Sequence, residues 1–167
     1  PLKEMPAERI ARVQLLQRKL QEPASSALAA IQLEAIGNEA VPALKQGLTA
    51  RDLEVKFYAA EALAYLDQPE AAAPLAEVAQ AESAFRWHAL TALSAISHVS
   101  ALDALTDLLH VKSIETRYGA FRAMKIRNPN DPTIKGELLD KRFRYHAIAT
   151  SGEPLIHVTR TRMPEIV

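Results

Sequence analysis

The sequence contains no cysteine. That removes disulfide scaffolds, thiolate metal sites and cysteine nucleophiles, and leaves the compartment open. Glycine occurs only five times, and neither a Gly-rich phosphate or dinucleotide loop nor a nucleophile elbow is present. Aromatic residues make up 5% of the chain. No apolar run approaches the roughly 20 residues that span a bilayer, so no membrane span is expected. No secretory signal opens the chain. An excess of one charge is also missing, because 20 basic and 20 acidic side chains give a formal net charge of zero.

What is present points to helices. The 167 residues are 49% apolar and 24% charged, enough for one domain with a substantial core. A chain rich in Ala and Leu and poor in aromatics favours closely packed helices over sheets. Charge is unevenly spread: from Lys141 onward, Lys141, Arg142, Arg144, Arg160 and Arg162 face only Glu153 and Glu165. The start at Pro1 without an initiator methionine, and the end at Val167 inside an apolar run, read as a fragment of a larger protein.

The chain repeats itself. Lys56 to Leu63, Arg86 to Leu93 and Arg117 to Met124 align without gaps as basic, aromatic, any, Ala, apolar, polar, Ala, Leu or Met. A weaker copy runs from Ser26 to Leu33. Further on in each unit, Ala40, Ala71 and Ala101 are each followed four residues later by Leu44, Leu75 and Leu105. Between these halves lie the breakers Gly37-Asn38, Asp67-Gln68-Pro69 and Ser97-His98-Val99-Ser100, residue types that end helices and make turns. Within each half the spacing is helical, as in Ala59, Ala60, Leu63 and Leu66. Ser100 and Ser113 are expected to precede helices as caps, and Pro42 and Pro74 fit first turns. Each unit is therefore helix, turn, helix, and stacking such hairpins makes a continuous core. The aromatic at Phe57, Trp87 and Tyr118 is expected to fill the wedge between neighbours.

The pattern Val55-Lys56, Ala59-Ala60, Ala62-Leu63, then Leu66 to Ala71 and Leu75, resembles a HEAT repeat, and is similar to the short HEAT-like units of phycobilisome lyases. The resemblance covers residues 23–127 and implies an α-solenoid, a mainly α superhelix of helical hairpins. It implies little about function.

The ends depart from the pattern. Residues 1–22 read as an N-terminal capping helix, ahead of the alternative that they are the second helix of a truncated repeat, with Ile10, Val13, Leu16 and Leu20 on one side. From 128 to 167 a β-rich extension leading into a further domain is expected: Phe143 to Ala149 and Leu155 to Thr161 form a hairpin around Thr150 to Pro154, and Met163 to Val167 begins a third strand. Leu155 to Val167 also resembles planctomycete proteins related to the flagellar P-ring, which implies an assembly or envelope role, in bacterial cytoplasm or periplasm, and no catalytic residues.

Candidate sites are few. Lys56, Arg86 and Arg117 recur at one repeat position, as a basic ladder or, the expected role, as residues pairing with acids of the neighbouring repeat at about 0 to 1 kcal/mol each. Arg117, Arg122, Lys125 and Arg127, followed by Lys141, Arg142 and Arg144, form the best candidate partner-binding surface. Glu115, Asp131, Glu137 and Asp140 dilute it, so a protein partner is expected ahead of nucleic acid. His146 and His157 could meet across the hairpin, but no third metal ligand is evident. Asp103 and Asp107 are carboxylates on one helix face with nothing to place them in a pocket. The expectation is a non-catalytic protein-interaction or scaffolding solenoid without cofactor, its groove lined by the second helices from Glu39, Glu70 and Ser100 onward. A nucleic-acid-binding HEAT module and a chromophore lyase-like enzyme are the alternatives.

Overall fold

A computed structural model describes residues 6–139, 145–150 and 153–158. It divides into two units, Pro1–Ala104 and Leu105–Val167. Unit 1 holds α1 (Pro6–Leu20), α2 (Pro23–Ile36), α3 (Val41–Gly47), α4 (Leu53–Tyr65), α5 (Ala72–Ala81) and α6 (Ser83–Ala95). Single 3-10 turns, Asn38–Ala40 and Pro69–Ala71, lead into α3 and α5. The division between the units falls within α7 (Val99–Leu108). Unit 2 continues with α8 (Ile114–Arg127) and α9 (Pro132–Leu139).

Within unit 1 the helices form two rows. In the first, α4 packs between α2 and α6. In the second, α1, α3 and α5 each pack on the first-row helix that follows, α2, α4 and α6 in turn. The repeated small and aliphatic positions are the core: Ala29, Leu33, Ala59, Leu63, Ala89 and Leu93 are buried in the first row, and Leu44 and Leu75 in the second. Burying one such leucine contributes about 1.5–3 kcal/mol. Gly47 marks where α3 comes closest: a Cβ there would lie 2.5 Å from the Ala59 Cβ and 3.2 Å from the Leu20 Cδ2.

The turns between the two halves of each repeat explain why the breakers recur. Gly37 takes φ 92° and Asp67 φ 55°, the left-handed region that Gly enters freely and Asp tolerates. Asp67 is further held by the next turn, for Ser97 donates its amide at 2.7 Å and its hydroxyl at 2.6 Å to the Asp67 carboxylate. Side chains also start the helices: Asp52 accepts from the Glu54 and Val55 amides at 2.9 and 3.1 Å, and Ser113 from the Thr116 amide at 3.2 Å. Ser100 does not precede its helix. α7 begins at Val99, and the His98 ring nitrogen accepts from the Ser100 amide at 3.1 Å.

The region expected to be β-rich from 128 onward begins with a helix instead. Asp131 accepts from the Thr133 amide at 2.8 Å and Pro132 opens α9, so the Asp131-Pro132 pair marks a helix start. Farther on, β1 (Tyr145–Thr150) and β2 (Glu153–Val158) run antiparallel, with Tyr145 opposite Val158 and Thr150 opposite Glu153. The third strand expected from Met163 lies outside the described residues.

Candidate interaction surface

The second row of unit 1 is tied together by polar contacts between successive helices. Arg9 of α1 reaches Glu39 at 3.1 Å, Gln17 of α1 bonds Gln46 of α3, and Lys45 of α3 reaches Glu70 at 2.7 Å. Glu39 and Glu70, expected to open a binding groove, each hold a cation of the preceding helix.

The recurring basic position is also internally engaged. Lys56 donates to both carboxylate oxygens of Glu77, on α5, at 3.0 and 3.1 Å. Arg86 donates from Nε to the Ala79 carbonyl at 2.7 Å. Arg117 donates from one terminal nitrogen to the Val111 and Lys112 carbonyls at 2.5 and 2.9 Å. The two arginines thus hold carbonyls of the segment just before their own helices. Ala79 lies in the last turn of α5, where the helix dipole is negative and a cation is favoured.

The aromatic position behaves unevenly. Phe57 is 2% exposed and stacks on Phe85 at 4.5 Å, with Tyr58 edge-on to Phe85 at 5.7 Å. Trp87, expected to fill the same wedge, is 45% exposed, and Tyr118 is half-buried. Phe85, one residue ahead of the aligned segment, fills the wedge from α6, so the repeat alignment missed it.

The outward face of the first row carries a stripe in register with the repeat. Leu28, Ile31 and Ala35 on α2 are matched 30 residues later by Tyr58, Glu61 and Tyr65 on α4, and again by His88, Thr91 and Ala95 on α6. Leu28 and Ile31 are each 61% exposed and Tyr65 47%. No stripe position is Lys or Arg. Partial burial pushes the Glu61 carboxyl up, His88 opposes that and Glu34 adds to it. Burial also raises Glu34. Tyr65 is raised by burial and then by Glu61 and Glu34, and Tyr58 by burial and then by Glu54 and Glu61. These groups therefore sense one another across α2, α4 and α6. The sequence carried the signal as exposed apolar residues at one repeat phase, a phase outside the expected groove.

In unit 2 the basic candidates separate. Arg117 is 1% exposed and lies among the buried residues of α8. It shares the spacing of Ala120 and Met124, so it points inward and offers no charge to a partner. Burial disfavours its charged form, with Glu115 opposing. Arg122 is exposed, and Lys125 and Arg127 are half-buried. Lys141, Arg142 and Arg144 lie outside the described residues. His146 is the Cα partner of His157. Among the described residues no three His, Asp or Glu gather as a metal site, and no helix is long and apolar enough to cross a membrane.

Comparison with known proteins agrees with the repeat architecture. The family of HEAT repeats matches residues 11–85. No curated protein matches the chain, and the P-ring resemblance of the tail gains no support. Among solved structures the chain is similar to one from the complex of CpcE and CpcF of phycocyanin lyase from Nostoc sp. PCC7120. The two are 20% identical with a TM-score of 0.60, over 77% of this chain and 87% of that one. At that identity the likeness shows the fold alone, a helical repeat, and nothing of the chemistry.

Proposed function

We propose that the chain is a non-catalytic protein-interaction module that uses a helical-repeat stack as a scaffold. The observation that carries this reading is the outward stripe of the first row. There the repeat keeps the same three positions outside on three successive helices and fills several of them with large apolar or aromatic side chains. Exposed apolar side chains scattered singly need no explanation, but Leu28, Ile31 and Tyr65 share one repeat phase on two adjacent helices, which supports a contact surface. The second row supports the assignment by contrast, since Arg9 with Glu39 and Lys45 with Glu70 already form pairs there. The test is affinity capture with the wild-type chain and with an Ile31→Asp, Tyr65→Asp variant of unchanged melting temperature. One defined protein retained by the wild type and lost by the variant is expected. No partner, or a partner retained equally by both, contradicts the reading.

A lyase-type activity is the second reading, and the likeness to the phycocyanin lyase complex is what favours it. It ranks behind the first because that likeness carries the fold alone. Chromophore attachment to phycocyanin, measured with and without the chain, separates the two. Acceleration supports the lyase reading, and an unchanged rate leaves the scaffold. Nucleic-acid binding by the basic helix loses ground because Arg117 is inside unit 2.

A further inference from the structure

The outward stripe also carries information about what would cover it. The chemistry of the occupant rests on the interaction-module reading above and deepens it. Three positions at i, i+3 and i+7 span about 10 Å along a helix. Neighbouring helices lie about 8–10 Å apart, so the stripe on three adjacent helices is long enough for three or four turns of a docked helix.

Its charge is of one sign. Glu34, Glu54 and Glu61 stand on or beside it, and His88 is the one further titratable group among the stripe positions apart from the two tyrosines. The only Lys or Arg residues of α2, α4 and α6 are Lys56 and Arg86. Lys56 is engaged with Glu77, and Arg86 with the Ala79 carbonyl. The face thus combines aliphatic side chains at one end with carboxylates and phenol rings in the middle. Aromatic rings beside carboxylates bind a cationic side chain through both the ring face and the charge.

We propose that this face docks a helical segment of a partner protein that carries lysine or arginine beside apolar side chains. The cation sits among Tyr58, Glu61 and Tyr65, with Glu34 at its edge, and the apolar side chains lie against Leu28 and Ile31. A second copy of the chain is a poor occupant, because a self-complementary contact would set these carboxylates against each other. An anionic lipid surface or a nucleic acid meets the same repulsion. The raised proton affinities of Glu34 and Glu61 are consistent with carboxylates whose charge lacks full compensation in the free protein.

The experiment is an NMR titration of the isotope-labelled chain with an amphipathic leucine–lysine peptide as the probe and its leucine–glutamate counterpart as the control. Amide shifts confined to α2, α4 and α6 are expected with the first peptide and none with the second. The Glu34→Gln, Glu61→Gln variant, its melting temperature checked, is expected to bind the probe about tenfold more weakly. Absence of binding, equal binding of both peptides, or unchanged affinity of the variant would overturn the proposal. Shifts confined to α1, α3 and α5 would overturn this placement while leaving the interaction-module reading standing. That reading itself fails only if the affinity capture described above fails.

Discussion

The two rows of unit 1 are built on one repeat but use their carboxylates differently. In the second row, carboxylates sit within 3.1 Å of cations from neighbouring helices, as at Arg9 with Glu39 and Lys45 with Glu70. In the first row, Glu34 and Glu61 are partly buried beside tyrosines. A row that closes its own ion pairs holds the hairpins in register. The first row leaves apolar and acidic groups at its outward face. The lesson is that exposure alone does not identify a surface; what matters is whether the exposed groups already have partners.

The largest expected effect tests the wedge that holds the hairpins together. Phe57→Ala should destabilise the chain by about 3–5 kcal/mol, as for a buried phenylalanine. Trp87→Ala, at the same repeat position, should cost less than about 1 kcal/mol. Urea unfolding of both variants measures the difference, and equal effects would remove the distinction between the two positions. Gly47→Ala comes next. Alanine is otherwise the better helix former, yet its Cβ would press on Ala59 and Leu20, and a loss of about 1–3 kcal/mol is expected. A stabilised variant would show that α3 moves freely away from α4.

Arg117→Lys is expected to cost about 1–2 kcal/mol, since one ammonium replaces the planar group that holds two carbonyls. Arg122→Lys on the exposed side of α8 should change stability by no more than about 0.5 kcal/mol. Thermal unfolding of the pair decides whether Arg117 is an internal anchor.

Most of the architecture is legible in the sequence alone. The Ala and Leu positions that repeat every 30 or 31 residues are the ones found buried, because helix packing selects small and aliphatic side chains at fixed spacing. The inward place of Arg117 is legible too, since it shares a face with Ala120 and Met124, but its charge favours a surface reading. Phe85 is hidden because the aligned segment begins one residue later. The helix α9 is hidden because Asn, Asp and Pro serve turns and helix starts alike. The outward stripe is hidden for a different reason. Sequence gives the phase of an exposed position, and only the packing of α4 between α2 and α6 brings those phases side by side.

The smallest effects distinguish the rows by pH. Lys45 lowers the Glu70 carboxyl first by its hydrogen bond. Its stabilising contribution is therefore present above the ordinary glutamate value and is lost as pH falls through the lower folded-state value. Glu61 has the opposite sign: its folded-state value is raised, so its penalty is absent in acid and sets in as pH rises through that value. Glu70→Gln should slightly lower the melting temperature at neutral pH, and Glu61→Gln should slightly raise it, with both differences fading in acid. The Arg9–Glu39 pair, measured by a double-mutant cycle, should give about 0.2–1 kcal/mol.

The most direct test of the central claim is site-specific photo-crosslinking in cells, with the probe placed at Ile31 or Tyr65 on the outward stripe and at Gln46 or Glu77 on the second row. One discrete crosslinked protein from the stripe positions, and none from the second row, is the predicted result. The same adduct from both rows, or an adduct from the second row alone, would contradict it.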